Sequence, residues 1–221
     1  MSEYNPKGMH EVDLTIDDVA VYGLDESIRR AKYPMAVNIA SLNGELTKGI
    51  ANLAKCEKGT GHDQWLEGVI VQFDLTYTVK AWVEAERYTW FRFISSQSTM
   101  HRIAKFDLDG QYIQYVDPRM IEIMKEKVNE YNQLLNEKHF VGASEEDIRE
   151  YQDLLARKYL EILYSNPCGF RLTAGMTTNY RQLKTIYAQR RTHRLPEWVA
   201  FCKWIETLPH SELITGKEVA A

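Results

Sequence analysis

The sequence predicts a single α+β domain over residues 1–221, a mainly antiparallel sheet with helices concentrated in the C-terminal half. Three observations carry that expectation. In VIVQFDLTYTV, Val69, Val71, Phe73, Leu75, Tyr77 and Val79 fall on one face and Ile70, Gln72, Asp74, Thr76 and Thr78 on the other, the pattern of a strand with one dry face. After Pro118, Met120, Met124, Val128, Tyr131 and Leu135 recur at helical spacing, with the proline suited to the first helical position. From Ser144, whose SEED segment can form an N-terminal capping box, Ile148, Tyr151, Leu155, Tyr159 and Ile162 mark a second long helix that Asn166 and Pro167 stop.

The remaining elements follow in chain order. Val12, Leu14 and Ile16 alternate with polar residues and predict a half-buried strand. KAWVEAERYTWFRF predicts a helix, with Ala81, Ala85 and Tyr88 on one face. A turn at Gly110 precedes a short YIQYV strand. A third helix is expected from about Asn179 to Arg190, and a fourth, after Pro196, carries Trp198, Phe201, Cys202 and Ile205. No internal repeat, low-complexity tract or Pro/Gly/Ser linker divides the chain.

Composition narrows the partners. Lys plus Arg number 27 against 31 Asp plus Glu, a formal charge of -4, without the broad basic surface that nucleic-acid polymers require. A small anionic ligand needs only a few arginines in one pocket. Cys56, Cys168 and Cys202 form no CxxC pair and cannot all pair within the chain, which suits a reducing compartment and argues against structural zinc or any other bound metal. MSEYNPKGMHEVDL lacks an apolar leader core, and no apolar run approaches the ~20 residues of a membrane helix. The expectation is a cytoplasmic protein with no membrane partner.

Two polar segments carry the chemistry. RFISSQSTMHR sets Arg92 and Arg102 around Ser95, Ser96, Gln97, Ser98 and Thr99 with no acid between them, a run able to donate to phosphate or carbonyl oxygens. Composition alone favours a plainer alternative, a solvated turn whose arginines pair with Glu84 or Asp107. NYRQLKTIYAQRRTHR gathers Asn179, Arg181, Lys184, Arg190, Arg191, His193 and Arg194; Asn179 and Arg190, about three turns apart, can share a face. For Arg191 and Arg194, a solvated basic helix end is the preferred reading. His62, in GTGHDQW, reads by itself as a loop histidine before a strand. GxGxxG, Walker, HExxH and GxSxG signals are absent.

In order and spacing these segments resemble the flavin-dependent thymidylate synthases. GHDQWLEG is similar to that family's H-x-x-x-x-E-H, with His62 and Glu67 matching and Gly68 in place of the second histidine. WFRFISSQSTMHR is similar to R-H-R-x-x-S-x-N-E-x-S-x-R: Arg92, Ser95 and Arg102 match, Gln97 replaces Asn, and Trp90, Phe91, Ser98 and Met100 replace Arg, His, Glu and Ser. NYRQLKTIYAQR matches the N-x-R…L-R helix through Asn179, Arg181 and Arg190, and LPEW follows where the family has A-Q-W. The resemblance spans roughly His62 to Trp198.

It implies an FAD enzyme that transfers a one-carbon unit from methylenetetrahydrofolate to C5 of a uracil nucleotide, dUMP to dTMP, with NADPH as reductant. His62, Arg92, Ser95, Gln97, Asn179 and Thr185 would serve the flavin. Arg87, Ser98, Thr99, Met100, His101, Arg102 and Arg190 would serve the nucleotide, with Arg190 catalytic by stabilising charge on the pyrimidine. The family's homotetramers share active sites between subunits, and none of the three cysteines is needed as a nucleophile. Hydroxymethylation of dUMP, methylation of UMP and a non-catalytic nucleotide-binding protein remain alternatives. Counting from Asn179 the family spacing selects Arg190, while counting back from Trp198 it selects Arg191. One extra residue turns a helix by about 100 degrees, so the change is expected in the loop after it, leaving Arg191 to solvent or a neighbouring subunit.

Overall fold

The computed structural model describes residues 12–57, 59–137 and 143–217; the segment before Val12, where no apolar leader core was expected, lies outside them. The elements are β1 (Ile16–Tyr22), α1 (Leu24–Ala31), α2 (Lys48–Lys55), β2 (Ile70–Thr78), α3 (Val79–Ala85), β3 (Arg92–Ser96), α4 (Thr99–Arg102), α5 (Pro118–Asn136), α6 (Glu145–Ser165), β4 (Arg171–Asn179), α7 (Tyr180–Arg190), α8 (Pro196–Ile205) and α9 (Glu212–Thr215). The sheet runs β1-β2-β4-β3. Both outer pairs are antiparallel. At the two ends of the central pair, Val79 N donates to Phe170 O and Tyr180 N to Val69 O, so that pair is antiparallel too. The α+β class is as the sequence predicts, and the long helices, α5 to α8, lie in the second half of the chain.

Two compact units divide the described chain. One comprises 12–77, 81–96 and 173–217, the other 78–80 and 97–172. In the first, the predicted dry face of β2 is realised: Val71, Phe73, Leu75 and Tyr77 are buried. Phe73 and Tyr77 stack on Phe201, Trp198 and Trp204, so α8 covers the sheet with rings at 4.8–6.1 Å. In the second unit Met124 and Val128 of α5 and Ile162 of α6 close over Ile103, Leu108, Tyr112 and Phe170. Asp117 caps α5 with Pro118 at its first position, and Ser144 and Asp147 form the expected capping box of α6. The outer positions of the two predicted faces, Met120, Leu135 and Tyr151 among them, are exposed or only half-buried.

Four expectations change. The first strand begins at Ile16, although Val12 and Leu14 keep the alternating burial and Thr15 O still accepts from Thr76 N. The helix expected over KAWVEAERYTWFRF ends at Ala85, because turn bonds from Tyr88 N and Phe91 N take over and Arg92 joins β3. YIQYV makes a single bridge, Tyr112 with Phe170, before the Val116 N to Ile113 O turn bends it away from the sheet. β3 and β4 were not expected; β3 is an outer strand exposed at every position, and β4 carries Gly175.

Candidate functional site

The strand-to-helix junction at Asn179 organises the site. Asn179 ends β4 and caps α7, its Oδ1 accepting from Gln182 N at 2.8 Å. The helix then divides into two faces. Leu183, Ile186, Tyr187 and Arg190 are buried, whereas Gln182, Thr185 and Gln189 line a cavity of about 620 Å³ together with Arg87 and Tyr88 from the turn after α3. The spacing of 182, 185 and 189 is that of one helical face.

The donor set of this cavity has a common orientation. Each of its three carboxamides has its oxygen tied to the protein: Asn179 to Gln182 N, Gln182 to Trp90 N at 3.3 Å, and Gln189 to the Tyr88 hydroxyl at 3.0 Å. Their amide nitrogens are the atoms left to meet a ligand. With Arg87, the lining is rich in donors and suits a ligand rich in acceptor oxygens and ring nitrogens. The Thr185 hydroxyl donates to Arg181 O at 3.3 Å and offers its oxygen as an acceptor.

One wall rests on a residue that the motif reading passed over. Asp63, 2% exposed, accepts from Arg181 Nε at 3.1 Å and from Lys184 Nζ at 2.9 Å. Arg181 Nη1 also meets Gln64 at 2.8 Å and Glu67 at 2.6 Å, and Lys184 donates to the carbonyls of Ala54 and Cys56 at the end of α2. Glu67 hydrogen-bonded beside it raises the Arg181 pKa above its ordinary value, so the guanidinium stays charged. GHDQWLEG thus acts as a latch on α7. A side chain at Gly68 would run into Ser27 Oγ, because α1 closes over the position where the resembling motif has a histidine.

Arg190 lies in the interior, 4% exposed. Nε donates to Tyr88 Oη at 2.7 Å, Nη1 reaches Glu84 Oε2 at 3.4 Å and His193 Nε2 at 2.6 Å, and Nη2 reaches Glu84 O and Oε2, both at 3.4 Å. The rings of Tyr88 and Trp198 cover the guanidinium at 5.5 and 5.0 Å. The guanidinium is engaged at all three nitrogens, so direct contact with a pyrimidine requires one of these contacts, the longer Glu84 bonds first, to give way. Arg191, the next residue, is exposed.

The sequence-derived site residues fall in both units. Arg87, Asn179 and Thr185 meet at the cavity. His62, Arg92 and Ser95 belong to the same unit but are exposed and outside its lining; Arg92 donates to Thr89 O and packs on Trp90. Gln97, Ser98, Thr99, Met100, His101 and Arg102 belong to the second unit, where Ser98 O begins the short α4 by accepting from Arg102 N. Glu84, offered as a partner for Arg92 or Arg102, pairs with Arg190. The three cysteines are unpaired; burial, ahead of nearby Glu206, pushes the Cys202 thiol up to about 12, which keeps it protonated and unreactive at neutral pH.

Known structures share this fold. A flavin-dependent thymidylate synthase ThyX from Helicobacter pylori, complexed with FAD and dUMP, superposes with a TM-score of 0.62 at 14% identity over 92% of this chain and 97% of its own. A second structure of that protein with FAD and dUMP gives 0.62 at 13% with the same coverage. A UMP/dUMP methylase PolB from Streptomyces cacaoi, bound with 5-Br dUMP, gives 0.58 at 16%, over 92% of this chain and 95% of its own. No protein-family model and no curated sequence matches the chain. Among the described residues no helix is long and apolar enough to cross a membrane.

Proposed function

We propose that the chain, read as one domain over 1–221, is a flavin-dependent enzyme that transfers a one-carbon unit to C5 of a uracil nucleotide, dUMP to dTMP. The observation that carries the reading is the donor-lined cavity on α7, in a fold shared along nearly the whole chain with structures complexed with FAD and dUMP. The residues suit a flavin. The cavity has the size of a small-molecule site, and its three amide nitrogens complement the carbonyl and ring-nitrogen acceptors of FAD.

Bound flavin supplies the hydride and methylene chemistry, with methylenetetrahydrofolate as carbon donor and NADPH as reductant. The chain's own residues position and polarise. Asn179, Thr185, His62, Arg92, Ser95 and Gln97 are assigned to the flavin. Arg87 and the segment Ser98, Thr99, Met100, His101 and Arg102 are assigned to the nucleotide, Arg102 as an always-charged fork for its phosphate. Arg190 supplies positive charge toward the pyrimidine. A cytoplasmic homotetramer with shared sites is the assembly this reading implies.

Methylation of UMP is the second reading, supported by the likeness to a UMP/dUMP methylase and by Ser98 and Met100 standing where the resembling signature has Glu and Ser. The test supplies FAD, NADPH and methylenetetrahydrofolate with dUMP or UMP and measures the mass of the nucleotide product. The proposal expects dUMP to gain a methylene's mass. Gain on UMP alone selects the second reading, addition of a hydroxymethyl group selects the related C5 reaction, and no product with either nucleotide contradicts both.

A further inference from the structure

The cavity contains a relay that the motifs do not explain. Arg190 Nε can only donate, so its N–H occupies a lone pair of Tyr88 Oη, at 2.7 Å. The Tyr88 hydroxyl proton is thereby directed to Gln189 Oε1 at 3.0 Å. With its oxygen held, Gln189 presents Nε2–H to the cavity that both it and Tyr88 line. Glu84 and the Trp198 ring fix the far side of Arg190. The result is a carboxamide whose orientation is set from the interior, since the opposite orientation would turn an N–H toward a hydroxyl already receiving one.

We propose that Gln189 is a specificity-determining residue that donates a hydrogen bond to a carbonyl of a cyclic imide, with Tyr88 and Arg190 as the positioning residues that fix its donor. The inference rests on the functional reading above, in which two ligands carry this imide edge: the uracil ring and the isoalloxazine ring. A fixed donor bonds to the C4 carbonyl of either and meets the exocyclic amino group that cytosine carries at C4 donor to donor. Discrimination arises from the unpaired polar group that the wrong ligand leaves behind.

The test compares dUMP, dCMP and FAD binding in wild type, Gln189→Glu and Tyr88→Phe. Gln189→Glu keeps the bond from Tyr88 but turns the cavity-facing donor into an acceptor; Gln189 is exposed, so the thermal midpoint should hold. If the imide is uracil, the dUMP-to-dCMP affinity ratio falls by about tenfold or more while FAD affinity stays. If the imide is the flavin's, FAD affinity falls by a similar factor, the flavin absorption band shifts and the nucleotide ratio stays. Tyr88→Phe retains the ring over Arg190 and removes the orienting proton, so it should move the same quantity in the same direction by less. Wild-type affinities and selectivity in folded Gln189→Glu overturn the inference and leave the functional reading standing. An unchanged Tyr88→Phe overturns the relay. A wild-type protein that binds neither FAD nor dUMP removes both the inference and the reading beneath it.

Discussion

Arg190→Ala is expected to lower the stability of the fold by about 3–5 kcal/mol, the scale for removing one partner of a buried ion pair. The size follows from what the deletion leaves behind. Glu84 loses its guanidinium, Tyr88 loses a donor, and a cavity opens against Trp198. Arg191→Ala, one residue on and exposed, should stay within about 0.5 kcal/mol of wild type. Urea denaturation of the two variants gives the comparison. Where Arg190→Ala remains folded, its turnover should fall far more than its FAD affinity. Equal stability of the two variants would mean that the guanidinium is not held in the interior.

The second large effect is expected at Asp63. Asp63→Ala should destabilise the chain by about 2–4 kcal/mol, because a carboxylate that is 2% exposed is the shared partner of Arg181 and Lys184. The loss stays below that of a fully isolated charge, since Arg181 keeps Glu67 and Lys184 keeps the carbonyls of Ala54 and Cys56. Releasing this latch frees one wall of the cavity, so FAD affinity should fall even at temperatures where the variant is folded. His62→Ala, next to it but exposed, provides the control for stability alone. A stable Asp63→Ala with wild-type flavin affinity would show that the latch does not support the site.

What the sequence made legible follows from the range of the forces involved. β2 was readable because a sheet with one buried face imposes a period of two, and α7 was readable because Asn179 is a local cap. β3 escaped because an outer strand exposed at all five positions has no alternation, and its sequence, RFISS, looks like a polar turn. β4 escaped because Gly175 and three threonines dilute an alternation that survives only as the burial of Ala174, Met176 and Thr178.

The site divides along the same line. Asn179, Thr185 and Arg87 came from the family resemblance and do meet at the cavity. Asp63 and Gln189 did not, since their meaning depends on partners 118 or 121 residues away for Asp63 and 101 for Gln189. The single available signal for Asp63 was an acid between a histidine and the helix that bears two cations, and charge pairing at that separation has no period to detect.

The central claim is that α7 and the turn before β3 hold a flavin, and titration of the purified protein with FAD tests it most directly. The account predicts a yellow protein, or saturable quenching of flavin fluorescence that ends at one FAD per chain, weakened in Asp63→Ala. A colourless protein whose addition leaves flavin fluorescence unchanged throughout the titration would contradict it.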